Sequence, residues 1–263
     1  LEGGSTYFVH DYVDAEKKAA FIHVDYERAG YSRSLDKDCY REFDRIFTVS
    51  DEVKQSFLNV YPECSGRTYV FHNLINQEEI RRKAELLGGF EDSYDGKRIL
   101  TVGRLTAQKA YEFSIDAMKL LKDHGVKARW YVLGEGELRE KLQFKINKLG
   151  LKDDFILMGA RENPFPYYKQ CDLYVHASRF EGKSIAIQEA QTLGCTLVVS
   201  DCSGNREQVE PGVDGMMCRL DAKEICDTVE ALLKDEEKCR KLGKKAAEKS
   251  FLEDKDVLKP FDF

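Results

Sequence analysis

Short apolar runs alternate with amphipathic stretches along this 263-residue chain, and that pattern predicts its elements before any chemistry is considered. In the first third, "AAFIHVDY" (19–26), "RIFTVS" (45–50) and "TYVFHN" (68–73) read as strands, each a compact apolar run bounded by polar residues. Between them, "DEVKQSFLNVY" (51–61) sets Val53, Phe57, Leu58 and Tyr61 at helical spacing. Over "GGFEDSYDGKR" (88–98) periodicity lapses while Gly, Asp and Ser collect, which predicts a linker.

A regular alternation follows. Strands are predicted at 98–103, 128–134, 154–159, 172–178 and 196–201, and helices at 110–125, 137–150, 164–171, 184–194, 223–235 and 237–251. Strands separated by helices call for right-handed crossovers and a parallel sheet covered on both faces. Residues 98 to about 250 therefore read as one complete doubly wound α/β domain, and residues 1 to about 90 hold only part of a comparable one.

Composition narrows the function. Lys and Arg total 41 against 47 Asp and Glu, a net charge of −6, which argues against nucleic acid as a partner. Eight scattered cysteines form no C-x-x-C pair, so a reduced cytoplasmic compartment is expected rather than a disulfide or metal framework. No apolar run approaches the ~18 residues of a membrane span, and the chain reads as soluble.

Ligands of open parallel sheets bind beyond the carboxyl ends of the strands. Five loops should share that crevice: "GRLTAQK", "GEGEL", "GARENP", "SRFEGKS" and "SDCSGNRE". The stretch Ala177 to Ser184 is one residue short of a phosphate loop, G-x-x-x-x-G-K-[ST]. Ala177 replaces the first glycine, however, and Glu181 would set a carboxylate against the anion. A dinucleotide fingerprint fails because Arg139 stands where "GEGELR" would need glycine. An anion site of another kind remains. A helix beginning near Ser184 offers free N–H groups, Arg104 a planar bidentate donor and Lys109 a point charge. Glu181 and Glu189 suit hydroxyl groups, and a pyrophosphate flanked by two polyols describes a nucleotide sugar.

The residues here resemble glycosyltransferase family 4 (group 1), in the bacterial surface-polysaccharide type. The likeness runs over nearly all of 45–250, through "DRIFTVSDEVKQSF", "VFHNLIN", "TVGRLTAQKAYEFSIDAMKLL", "YVLGEGELREKL", "CDLYVHASRFEGKSIAIQEAQTLGCTLVVSD" and "GVDGMM", and Glu181 with Glu189 matches the family's E-x7-E pair. The resemblance implies a GT-B fold of two Rossmann-like domains, the second complete and the first only partly present. Residues 1–93 would be the end of the acceptor-side domain plus linker, 94–250 the donor-binding domain, and 251–263 a crossover segment toward the first.

It further implies a retaining, metal-independent hexosyltransferase that needs no cofactor, using a UDP-sugar or GDP-sugar and a glycan or lipid-linked acceptor. Arg104 and Lys109, beside Gly103, would hold the diphosphate and Glu189 the ribose, while Glu181 with Gly182, Lys183 and Ser184 would hold the transferred sugar. His23 would face that sugar, and the loop bearing Arg161 would reach the base. His23, Arg104, Lys109 and Glu181 are the expected catalytic set.

Departures are visible too. Lys183 and Ser184 follow Gly182 where E-G-F-G is common, and Ala110 stands where glycine usually follows the lysine. His72, His124 and His176 read as structural, Asp36-Lys37-Asp38 as a solvated loop, and "RKLGKKAAEK" (240–249) as a helix face that could touch anionic lipid at the inner face of a membrane. The alternatives are a nucleotide-sugar binding module without turnover, because the acceptor half is incomplete, and a phosphate-loop NTPase.

Overall fold

The computed structural model describes residues 3–251, so the crossover segment expected over 251–263 lies, beyond Phe251, outside the described residues. The chain forms two compact units: residues 3–74 with 180–184, and residues 75–179 with 185–251.

In the first unit the order is α1 (Gly3–Tyr12), β1 (Ala19–Ile22), α2 (Arg33–Asp36), β2 (Arg45–Thr48), α3 (Asp51–Val60) and β3 (Thr68–Val70). The strands pair in parallel in the order β1-β2-β3, with Phe21 opposite Phe47 and Phe47 opposite Tyr69. Ser50 caps α3 by accepting from the Val53 N–H at 3.2 Å, and Asp51 and Glu52 complement the helix dipole. The helix thereby buries Val53 and Phe57 against an aromatic knot of Tyr26, Tyr40 and Tyr61. Ring centroids in that knot lie 5.1 to 6.1 Å apart, mostly edge to face as ring quadrupoles favour. Asp36 is fully buried and accepts from the Tyr7 hydroxyl, so the expected solvated loop is instead partly interior.

The second unit opens with α4 (Gln77–Ala84) and continues β4 (Lys97–Val102), α5 (Tyr111–Asp123), β5 (Ala128–Leu133), α6 (Arg139–Lys148), β6 (Phe155–Gly159), α7 (Phe165–Gln170), β7 (Leu173–His176), α8 (Ile185–Thr192), β8 (Leu197–Ser200), β9 (Met216–Cys218), α9 (Ala222–Leu233) and α10 (Glu236–Ala247). Its sheet is parallel throughout, in the order β6-β5-β4-β7-β8-β9. That is the doubly wound order, and the winding reverses between β4 and β7. Side chains alternate between two cores: Ile99, Val132, Val175 and Val198 face α5, α6 and α9, while Leu100, Leu133, Tyr174 and Val199 face α7, α8 and α10.

Residues 75–93, read from sequence with the first domain, group with the second unit. Helix α4 packs against α7 and α8. Phe90 packs against Tyr131 with tilted rings and centroids 4.5 Å apart, and Asp92 accepts from Arg98, Arg129 and Tyr131 at 2.9, 2.9 and 2.5 Å. The polar stretch is tied down by ion pairs that no hydrophobic period reveals.

Candidate active site

The loops at the carboxyl ends of the second unit's strands are stitched into one row by main-chain bonds. Gly103 N–H donates to Leu133 O, Gly134 to Gly159 O, Leu105 to Glu135 O and Arg179 to Gln108 O, each at 2.9 Å. The Ser178 N–H donates to Ser200 Oγ at 2.8 Å. Gly134 has no alternative, since a Cβ there would lie 1.9 Å from Gly103 O. This row spans the switch point between β4 and β7, where open α/β sheets take their ligands.

At that point stand three basic groups. Arg104, directly after β4, is exposed and has no ion-pair partner among the described residues. Lys109 ends a 3-10 turn, and its Nζ lies 3.4 Å from His176 Nε2; the other ring nitrogen of His176 lies 3.1 Å from the Tyr174 hydroxyl. The turn is closed by Ala110 with φ +48°, a left-handed conformation that favours glycine and explains why glycine is the usual residue there. Gly103 lies beside them; a Cβ at that position would be 3.5 Å from Lys109 Cε, an ordinary van der Waals contact.

Glu189 lies in α8, partly buried, and accepts from the Tyr168 hydroxyl at 3.0 Å. Burial pushes its carboxyl pKa up, against the lowering effect of that hydrogen bond. Arg161 is exposed in the loop between β6 and α7.

The remaining candidates belong to the first unit. Segment 180–184 lies along the carboxyl edge of its three-stranded sheet, contacting residues that follow each strand. After β1, the His23 carbonyl sits where a Cβ on Gly182 would be 2.0 Å away, so no side chain fits at Gly182. After β2, Ser50 Oγ donates to Gly182 O at 3.4 Å. After β3, Asn73 Nδ2 donates to Lys183 O at 2.9 Å, and Lys183 Nζ lies 3.1 Å from His72 Nδ1. Glu181 and Ser184 are buried, and the His23 ring is exposed and stacked on Phe21 with centroids 6.0 Å apart. A phosphate loop turns N–H groups toward its anion; here two of the segment's carbonyls are taken up by side-chain donors and a carboxylate is enclosed.

The candidates thus form two groups: Gly103, Arg104, Lys109, Arg161 and Glu189 on the second unit, and His23 with 181–184 on the first. Sequence reading missed His176, His72, Asn73 and Tyr168 as neighbours of the site residues. The signal for the two histidines was their place at strand ends, equivalent to that of His23. His124, by contrast, pairs with Glu230 at 2.6 Å.

Comparison with known proteins places the geometry in context. Residues 78–249 match the family of glycosyl transferases group 1. The chain is 29% identical over 179 residues to an uncharacterised glycosyltransferase of Methanocaldococcus jannaschii, covering 65% of this chain and 43% of that protein. It is 31% identical over 211 residues to the Campylobacter jejuni N-acetylgalactosamine-N,N'-diacetylbacillosaminyl-diphospho-undecaprenol 4-alpha-N-acetylgalactosaminyltransferase, covering 79% and 55%. The chain therefore spans about half the length of these curated relatives. In structure it resembles Anabaena HepE in complex with UDP and glucose, with a TM-score of 0.76 at 18% identity, covering 88% of this chain and 66% of that one. That likeness identifies the GT-B fold. No helix among the described residues is long and apolar enough to cross a membrane.

Proposed function

This chain belongs to the glycosyl transferases of group 1, and from that premise we propose that it moves a hexose from a nucleoside-diphosphate sugar, most simply a UDP-sugar, to a glycan or lipid-linked acceptor with retention of anomeric configuration. The observation that carries the reading is the exposed Arg104, without an ion-pair partner among the described residues, beside the Lys109–His176 pair at the sheet's switch point. An exposed arginine at that place suits an anion from outside, and the diphosphate of a donor is that anion.

Cleavage of the sugar–diphosphate bond develops positive charge at the anomeric carbon and negative charge on the leaving group. Groups that bind the leaving diphosphate more tightly than the intact donor lower the barrier. Arg104 and Lys109 take that role, His176 orients the Lys109 ammonium, and the N-terminus of α8 adds its dipole, so the reaction needs no metal. Glu189 accepts from ribose hydroxyls. Glu181 and the backbone of Gly182, Lys183 and Ser184 hold the transferred sugar, His23 serves the same sugar, and the Arg161 loop reaches the base. The protein would work in the cytoplasm, on acceptors presented at the inner face of the membrane. Residues 94–250 act as the donor domain and the sequence before them as the acceptor side.

A thermal-shift panel with UDP, GDP, ADP, several UDP-sugars and ATP with magnesium tests this, run on the wild type and on Arg104→Ala. Saturation at a hundred times the dissociation constant adds about 2.7 kcal/mol to the folded state. Stabilisation by one nucleoside diphosphate and its sugar, lost in the variant, is expected, together with slow hydrolysis of that donor. Stabilisation by ATP with magnesium alone would overturn the reading in favour of an NTPase. Donor binding with no turnover alongside an added acceptor would leave only a binding module.

A further inference from the structure

Next to the strand-end loops of the second unit, which contribute Ala107 and Arg179 to its lining, α5 and α6 flank a cavity of about 730 Å³, within the size range of small-ligand pockets. Its floor is apolar. Leu138, Leu142 and Leu149 line it, and Phe144, 70% exposed, stands at its side as one of the largest uncovered aromatic surfaces of the unit. Its rim is basic: Lys141, Lys145, Lys148 and Arg179 stand against one acidic lining residue, Glu112, a local balance of +3 in a chain of net charge −6.

The rim divides by how its charges are used. Arg179 is held by Glu112 and the Ala107 carbonyl, and Lys145 by Asp116 at 2.6 Å and by the Glu112 carbonyl at 3.0 Å. Lys141 and Lys148 are exposed and have no ion-pair partner among the described residues. Both project from α6, two turns apart, with their aliphatic stems able to lie over the leucine floor and their ammonium groups at the water boundary.

We propose that this cavity binds one molecule of a phosphorylated amphiphile, an alkyl chain carrying a phosphate head. The chain lies on Leu138, Leu142 and Phe144, and the phosphate sits between Lys141 and Lys148. An apolar floor discriminates against a bare anion, and a net positive rim discriminates against a neutral amphiphile. Its volume accommodates a single alkyl tail. Nothing in this assignment depends on which donor the strand-end loops take.

The test is calorimetric titration of the chain with dodecyl phosphate, kept below its micelle concentration. Saturable one-to-one binding is expected, weakened at least tenfold by Lys141→Glu with Lys148→Glu and also by Phe144→Ser. The same charge change at the two ends of α9, Lys223→Glu with Lys234→Glu, should leave it within twofold of wild type. These positions are exposed, so the fold persists, and circular dichroism verifies it. The proposal is overturned if dodecyl maltoside binds as tightly, if inorganic phosphate alone binds as tightly, or if the α9 pair weakens binding as much as the α6 pair.

Discussion

At the scale of single residues, Glu189 illustrates the cost of burying a carboxyl. Burial raises its pKa above the ordinary carboxylate value while Tyr168 donates to it. A carboxyl whose folded pKa is raised contributes full stability below the unfolded value near 4.5, and loses it as pH rises through the folded pKa. Glu189→Gln keeps an acceptor for Tyr168 without the charge. Its unfolding free energy should therefore exceed wild type at pH 7, by the ~0.5–2 kcal/mol typical of single stabilising changes, with a higher melting temperature, and the gain should shrink to nothing as pH falls below 4.5. Donor affinity should move the other way, by about 1.5–3 kcal/mol for a lost charge-assisted bond. Melting curves from pH 4 to 8, with and without donor, check both; a variant no more stable at pH 7 would refute the account.

The same scale marks what could be read in advance. Arg104 and Glu189 could be put forward as candidates because a strand end and a helix face are local features. His176 and Lys109 lie 67 positions apart and meet only because β7 pairs with β4, so no spacing rule joins them. Arg161 and Lys183 were placed by motif alone.

At the scale of elements, the strands and long helices were predictable from periodicity, and the omissions have physical causes. Helix α4 buries only Gln77, Ile80 and Ala84 among charged neighbours, so its apolar period is faint; its trace was the cap, Asn76 accepting from the Glu79 N–H at 2.8 Å. Strand β9 has three residues, too few to show a period. The segment around Asp92 reads as a linker in sequence because ion pairs rather than hydrophobes hold it. Burial pushes the Asp92 carboxyl up, yet hydrogen bonds from Tyr131, Arg98 and Arg129 hold it at about 2. A depressed pKa contributes stability above the unfolded value of 3.8, lost as pH falls through about 2. Asp92→Asn should thus cost ~2 kcal/mol at pH 7, with a deficit that narrows toward pH 2. Denaturant titrations at pH 7 and pH 3 decide it, and a deficit independent of pH would point to lost packing instead.

At the scale of the whole molecule, the parallel sheet and the fold class followed from alternation, while the grouping of 180–184 with the first unit did not. That grouping rests on close packing between residues distant in sequence, which leave no local signature. It also bears on the order in which the protein is made. Ser50 and Asn73 reach partners 132 and 110 positions later, so the ribosome delivers all three strands of the first sheet long before the segment that lies along their edge. Until Ser184 has emerged, the peptide bonds after His23, Ser50 and His72 lack that cover. Stalled chains ending at residue 179 should be cut there by a nonspecific protease at least several-fold faster than chains ending at 251, and equal protection would mean that the edge closes by itself. The first unit is thus begun early in synthesis and finished late, with most of the second unit's strands made in between.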